Sequence, residues 1–426
     1  MRASFLNKIK MKCRPGAALL AASLLCVANT LATTYSARPQ DDLRSMLGKL
    51  MPGDTLFLHD GLYRLESLRI ERQGTAEKYI VIAAAPNAKP VLTAISPKHN
   101  LISIRSAAYI VLDGLTIDGT LPNVDAIKFE NGHTSHHVLI QNFEIKNYQG
   151  VAINSKGEDH HITVRRCHIH HSSVGVGEAF YIGKQDASVT PHHWLIENNL
   201  IHDTAGQQGD GIELKYGVHS SIVRDNVIYN TQYPAIICYG VTGDNANRER
   251  SNVIESNLVF DTKEGIGAYA DAVVRNNIVV NCEFGYLARA HRKPPANLEV
   301  YNNTFYNCGV LAFLGWSEAQ HCWFMNNAAY NIKRGVRLQG SGTFTNNIGN
   351  FSAAGFRYSE AEHDMAAPRT YNFYPTPQSA LRNGADLRLH APRDFNHNSR
   401  DEHADVGAFE WMGEHKMPRP LVRDFK

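Results

Sequence analysis

The stretch IENNLIHDT, Ile196–Thr204, returns in altered form down the chain. It reappears as VRDNVIYNT (Val223–Thr231), IESNLVFDT (Ile254–Thr262), VRNNIVVNC (Val274–Cys282), VYNNTFYNC (Val300–Cys308) and FMNNAAYNI (Phe324–Ile332), and continues in FTNNIGN (Phe344–Asn350). The second Asn of each phrase is Asn199, Asn226, Asn257, Asn277, Asn303, Asn327 or Asn347, at intervals of 27, 31, 20, 26, 24 and 20 residues. Repeats this short and this variable indicate a solenoid whose loops absorb the variation. Weaker copies lie around Asn142 and Arg166.

A second short run follows each phrase: VAINSKG, AFYIG, GIELKYG, AIICYG, GIGAYA, GYLARA and GVRLQG. These runs alternate or are continuously apolar, are bounded by Gly, Asn and Asp corners, and show no helical period. Several strands per repeat with polar corners predict an all-β fold, a parallel β-helix. Asn at a fixed corner suits a stacked amide ladder and tolerates left-handed backbone. Cys282 and Cys308 share the slot held earlier by Thr204, Thr231 and Thr262, which places them in a second ladder. A disulfide between them would be strained and stays open.

The ends fit a solenoid. PQDDLRSMLGKLMPGDTLFLHDGLYR reads as a short amphipathic helix, a Pro-Gly turn and a first strand, the cap that an open first coil requires. From residue 356 the repeat gives way to a polar, Pro-rich segment expected to pack across the last coils and close that end. At the start, Arg2, Lys8, Lys10, Lys12 and Arg14 precede an apolar run over residues 17–31 that is short for a membrane span. We read residues 1–32 as a signal peptide, 33–355 as the β-helix with its cap, and 356–426 as a C-terminal capping segment. The mature protein is then expected to be secreted or periplasmic and free of the membrane.

The whole chain has 43 basic and 41 acidic residues. Without the five in the leader, 38 basic residues face 41 acidic ones. The slight basicity belongs to the leader, and no basic tract points to nucleic acid. Five cysteines remain beyond the leader, too few and too scattered for a disulfide scaffold, and no CxxC metal spacing occurs. The His doublets His136-His137, His160-His161, His170-His171 and His192-His193 fall at corners, where polar residues are expected, and read as structural; CHIHH, Cys167–His171, is the best metal candidate among them.

PGDTLFLHDGLY, YIVIAAAPNAKPVL, the Asn-rich coils and the ending DVGAFEW together resemble exported bacterial right-handed parallel β-helix proteins. Among these are polysaccharide lyases of the chondroitinase B and alginate lyase kind. The resemblance covers nearly the whole mature chain. It implies the fold strongly and the reaction weakly, since hydrolases, epimerases and binding proteins share that fold.

Aligning the coils locates a site. In GIELKYG, Ile212 and Leu214 point inward, so Glu213 and Lys215 point out. The column through Lys215 runs Glu130, Lys156, Gly183, Lys215, Tyr239, Tyr269, Arg289, Gln339. The column through Glu213 runs Lys128, Asn154, Tyr181, Glu213, Ile237, Gly267, Leu287, Arg337. Lys156, Tyr181, Tyr269, Arg289, His291 and Arg292 then line a face of cations and tyrosines suited to an acidic polysaccharide or oligosaccharide.

Cleaving a uronate polymer by β-elimination requires neutralisation of the carboxylate, a base for the C5 proton and an acid for the leaving oxygen. The resemblance implies calcium and its acidic ligands for the first, a Lys for the second and an Arg for the third. Lys215 follows Asp210 and Glu213, and Glu178 aligns with Asp210 one coil earlier; the three acids are candidate calcium ligands. Where that family has Arg this chain has Tyr239, so Lys215 as base and Tyr239 as acid is the expected pair. A lysine in water is protonated at neutral pH, so neighbours or desolvation must favour the free amine. A hydrolase using Asp210 and Glu213, a non-catalytic carbohydrate-binding protein, and an epimerase are the alternatives.

Overall fold

The computed structural model describes residues 32–413 except Val174, residues 241–247, Lys293 and residues 317–319. The expected leader and the last thirteen residues of the C-terminal segment lie outside the described residues.

Three long parallel sheets of 13, 11 and 13 strands wind through the chain as a parallel β-helix. The first sheet runs from Thr34–Ala37 to Thr343–Thr345, the second from Leu68–Ile70 to Arg334–Gly340, and the third from Gly61–Leu65 to Phe356–Tyr358. Inward residues of all three fill one continuous apolar core, from Leu56 and Ile80 near one end to Phe324 and Leu314 near the other.

The corner from the first sheet to the third explains the repeated phrase. Its two central residues divide the work. The first adopts positive φ: Asn198, Asp225, Ser256, Asn276, Asn302, Asn326 and Asn346, at φ of 53–56°. The second, the ladder Asn, turns inside. Each Nδ2 from Asn199 to Asn327 donates to the Oδ1 of the next ladder Asn at 3.0 Å, ending on Asn347. Left-handed tolerance thus belongs to the residue before the ladder, a correction to the expectation that one Asn does both. A buried amide must have its polar atoms met, and Asn matches both donor and acceptor to its own copy one coil on.

The slot of Thr204, Thr231, Thr262, Cys282 and Cys308 is buried throughout. The cysteines are free, and Cys282 Sγ lies 3.3 Å from Thr262 Oγ1. Burial pushes the Cys282 thiol up to about 11, which suits a packing role rather than a reactive one.

The predicted capping helix forms at Leu43–Lys49, with Asp42 accepting from Ser45 N at 3.1 Å and Leu43 and Leu47 buried against the core. A strand not foreseen, Thr34–Ala37, precedes it and pairs with Thr55–Leu58, so the sheet begins before the cap. At the other end the third sheet extends to Phe356–Tyr358. Residues 361–409 then lay Ala361, Met365, Phe373, Leu381 and Phe409 on the outer face of that sheet, over Val227, Leu258, Ile278 and Ala328. Among the described residues, no helix is long and apolar enough to cross a membrane.

Three of the His doublets, His136-His137, His160-His161 and His192-His193, build a ladder on the first sheet, joined by His219. His136, His160, His192 and His219 stack at centroid spacings of 5.1, 5.0 and 5.1 Å, and His137, His161 and His193 at 4.8 and 4.6 Å. Adjacent strand residues normally face opposite ways. Here the second His of each doublet has positive φ, which swings it beside the first. Burial and neighbouring charge push His160 and His219 down to about 4 and lower His136, His161 and His192.

Unfolded histidines titrate near ~6.5. His136, His160, His161, His192 and His219 stay neutral below that value in the folded chain, so their stability contribution is complete above about pH 6.5 and is lost as pH falls toward about 4. We expect the melting temperature of His160→Gln to fall less than that of the wild type between pH 7.5 and 4.5, approximate bounds chosen around that window. Parallel curves would show that the ladder is not the acid-sensitive element.

Candidate active site

The site lies on the second sheet, where Ile212–Leu214 pairs with Phe180–Ile182 on one side and Ile236–Cys238 on the other. In register, Lys128 meets Asn154, Asn154 meets Tyr181, Tyr181 meets Glu213, Glu213 meets Ile237, Ile237 meets Gly267 and Gly267 meets Leu287. This is the column read from the sequence up to Leu287. Beyond it a coil was missed: Val310–Trp316 places Phe313 between Leu287 and Arg337. The same strand places Gly315 before Gln339 in the other column.

Glu213 and Lys215 point away from the core, as expected, but not into solvent. They are 2% and 5% exposed, and Tyr239 is 9% exposed. The expected face is thus covered at Glu213 and Lys215 and stays exposed at Arg289, His291 and Arg292. Tyr216, Ile237, Tyr239 and Tyr269 pack into an apolar cluster beside it. Outward side chains of neighbouring coils are only about 4.8 Å apart, so large rings cover their neighbours.

Lys215 Nζ donates to Glu213 Oε1. The amine also lies 4.8 Å from the Tyr181 ring centre and 5.0 Å from that of Tyr239, cation–π range for both. Lys156 caps the Tyr181 ring at 4.6 Å. Gly183, one coil earlier, makes room: at φ +90° a Cβ there would meet Val218 at 2.9 Å and the Lys215 Cβ at 3.2 Å. Burial, with the Glu213 charge next, raises the Tyr239 hydroxyl far above its ordinary range, so it keeps its proton.

Glu178, Asp210 and Glu213 are all buried, and one carboxylate oxygen from each lies within 4.8 Å of the others. Among the described residues, both oxygens of Glu178 and Oε2 of Glu213 lack a hydrogen-bond partner. Burial and the charges of Glu213 and Asp210 push Glu178 up to about 10; burial raises Asp210 and Glu213 as well. Three crowded carboxylates with orphaned oxygens form an all-oxygen donor set that fits a hard cation such as calcium.

The remaining residues of the expected face are spread along it. Arg289, exposed, donates through Nε to the Tyr269 hydroxyl at 3.3 Å. His291 Nδ1 meets the Tyr216 hydroxyl, and its ring lies 5.2 Å from that of Tyr239. Arg292 lies over the Tyr216 ring at 5.1 Å. Arg289, His291 and Arg292 therefore join the pocket through tyrosines. The sequence reading missed Tyr216, which is buried at the turn after Lys215 and anchors His291. It also left Lys128 out of the site. That amine is buried with Asp125 at 3.2 Å, and burial lowers its pKa.

A family description of the right-handed β-helix region matches residues 100–329, more than half of the chain. The chain belongs to the right-handed β-helix family. Among curated proteins, none matches the chain. Solved structures similar to this right-handed β-helix protein include the PL6 family alginate lyase AlyGC, at 17% identity and TM-score 0.55, covering 88% of this chain and 57% of that one. Pectate lyase Pel9A is similar at 12% identity and TM-score 0.55, covering 89% and 96%. The PL6 family polysaccharide lyase Pedsa3628 from Pseudopedobacter saltans is similar at 14% identity and TM-score 0.52, covering 84% and 100%. The chain spans little more than half the length of AlyGC. Likeness at these identities establishes the shared fold; any shared chemistry must be argued from the site.

Proposed function

We infer that this β-helix protein is an exported polysaccharide lyase that cleaves a uronate-containing acidic glycan by β-elimination. The observation that carries the reading is the Lys215 amine, held by Glu213 between the rings of Tyr181 and Tyr239 and beside a buried carboxylate cluster. The similar solved structures, polysaccharide lyases by name, support it at the level of reaction class.

In this reading Lys215 is the base that takes the C5 proton of the uronate. Tyr239, which keeps its own proton through burial, gives it to the leaving glycosidic oxygen. The electrons of the C5–H bond form the C4–C5 double bond as the C4–O bond breaks. Glu178, Asp210 and Glu213 would hold calcium, which when bound supplies positive charge to stabilise the uronate carboxylate as the proton leaves. Lys156, Arg289, His291 and Arg292 would bind flanking sugars, with Tyr269, 4% exposed, holding Arg289. Because Lys215 is 5% exposed, a sugar reaches it by displacing Tyr181, the half-buried ring stacked against it.

Hydrolysis fits less well. Its paired carboxylates stand about 5–5.5 Å or 6.5–9.5 Å apart. Here Glu213, one of the two candidate acids, is tied to Lys215, and the face carries more cations and tyrosines than acids. The test is incubation of the mature protein with alginate, pectate and glycosaminoglycans, with and without calcium, following the absorbance of the unsaturated uronate product. Growth of that absorbance on at least one uronate polymer is expected. New reducing ends without it would replace the lyase by a hydrolase, and binding without either would leave a carbohydrate-binding protein.

A further inference from the structure

A second cluster lies on the outer face of the third sheet, away from the carboxylates. Glu144 and Lys146 pair with His168 and His170, and His170 pairs with His202 on the next coil. His168 and His170 are two residues apart on one strand, so both project from the same face. The rings of His170 and His202 stack at 5.1 Å, and those of His168 and His170 at 4.0 Å. His170 and His202 are buried, and a ring nitrogen from each of the three lies within 4.8 Å of the other two.

The hydrogen bonds fix which nitrogens face each other. His202 Nδ1 lies 2.7 Å from Asp203 Oδ2, so Nδ1 carries the proton and Nε2 presents its lone pair. His168 Nε2 lies 2.7 Å from that His202 Nε2. A single proton therefore sits between two imidazole Nε2 atoms, with the carboxylate of Asp203 behind one ring. Glu144 stands 3.3 Å from His170 Nε2. His202 shows the usual outer arrangement of a metal-binding histidine, a carboxylate on one nitrogen and the other nitrogen pointing into the cluster, whereas His170 has Nδ1 2.6 Å from His171 Nδ1 and must exchange that contact or the one to Glu144 for the ion.

We propose that His168, His170 and His202 form a binding site for a divalent transition-metal ion of the zinc type, with Asp203 as the positioning residue of His202. Imidazole donors favour such ions over calcium. With metal–nitrogen distances of about 2.0–2.1 Å, tetrahedral ligands stand about 3.3 Å apart. His168 and His202 need to part by only about 0.6 Å to admit the ion in place of the shared proton. The His168 proton then moves to its Nδ1, and the ring stays neutral. The bound ion would clamp two successive coils just ahead of the region covered by the C-terminal segment, where Tyr229 stacks on His202 at 4.7 Å.

The first-sheet trio His161, His192 and His193 is the competitor. Two of its three rings are exposed, and although its doublets close through Nδ1 pairs just as His170 and His171 do, the third-sheet cluster adds the carboxylates of Asp203 and Glu144 behind His202 and His170. Titration of the full chain with Co²⁺, with calcium in excess to fill the carboxylate cluster, separates the two. We expect one equivalent to bind with visible absorption, to be displaced by Zn²⁺, and to raise the melting temperature. His202→Gln should lose the signal while keeping the wild-type far-ultraviolet circular dichroism. Asp203→Asn, which leaves all three rings in place, should weaken binding by roughly 10- to 100-fold. The double variant His161→Gln/His193→Gln should bind as the wild type does. No stoichiometric binding, survival of the signal in both His202→Gln and Asp203→Asn, or its loss in the first-sheet variant would overturn the proposal.

Discussion

Lys215→Ala is expected to lower the rate of unsaturated product formation by roughly 10²- to 10⁴-fold, the range of a positioned general base. The Michaelis constant should change far less, because Lys156, Arg289 and Arg292 remain to bind the polymer. Lys215→Arg separates the two roles that Lys215 could have. Arginine keeps a positive charge for Glu213 and for the rings of Tyr181 and Tyr239. It cannot give up its proton under working conditions. A base role therefore predicts that both variants are inactive. If Lys215→Arg recovers more than about a tenth of wild-type turnover, within the scatter of conservative changes, the lysine acts by charge and proton abstraction belongs elsewhere. Circular dichroism on both variants guards against a misfolded pocket, since removing the amine leaves Glu213 Oε1 without its donor.

The placement of Lys215 shows what could be read from the chain alone. Ile212 and Leu214 fix the inward face, and the repeat of 20–31 residues fixes the stacking, so the order Asn154, Tyr181, Glu213, Ile237 follows from period two and coil count. The coil at Val310–Trp316 escaped because its run is apolar almost throughout and has no Gly-bounded polar exit to mark it. Exposure escaped for a different reason. Alternation says which way a side chain points, whereas its burial depends on rings contributed by other coils, Tyr239 above all. The first-sheet His ladder escaped because it depends on a backbone angle. Positive φ at His137, His161 and His193 turns neighbours that should diverge into converging pairs. A ladder Asn is legible because it bonds to its own copy; His202 meets His168 from a different column, which no single repeat reveals.

Glu178→Gln should produce opposite effects on stability and on cation binding. Glu178 is buried, neither oxygen has a partner among the described residues, and its carboxyl is pushed up to about 10 by burial and then by Glu213 and Asp210. Without a cation the folded protein therefore binds a proton there that the unfolded chain gives up near ~4.3. Stability from this group is fully present below that unfolded value and is lost as pH rises toward about 10. Glutamine has nearly the same shape and no proton to lose. In chelator the wild type should melt at falling temperature between about pH 6 and 9, and Glu178→Gln should fall less, so the variant is the more stable protein at alkaline pH. In calcium the order reverses. Bound cation stabilises the wild type by mass action, whereas the variant has a neutral amide in place of one of three carboxylates and should bind roughly 10- to 100-fold more weakly. Glu213 is shared in this account, Oε1 toward Lys215 and the unpartnered Oε2 toward the cation. Calcium affinity should consequently rise with pH, as the cluster sheds its protons. If calcium raises the melting temperature of Glu178→Gln as much as that of the wild type, the carboxylates are not its site. If the two proteins lose stability in parallel as pH rises in chelator, Glu178 does not hold the proton.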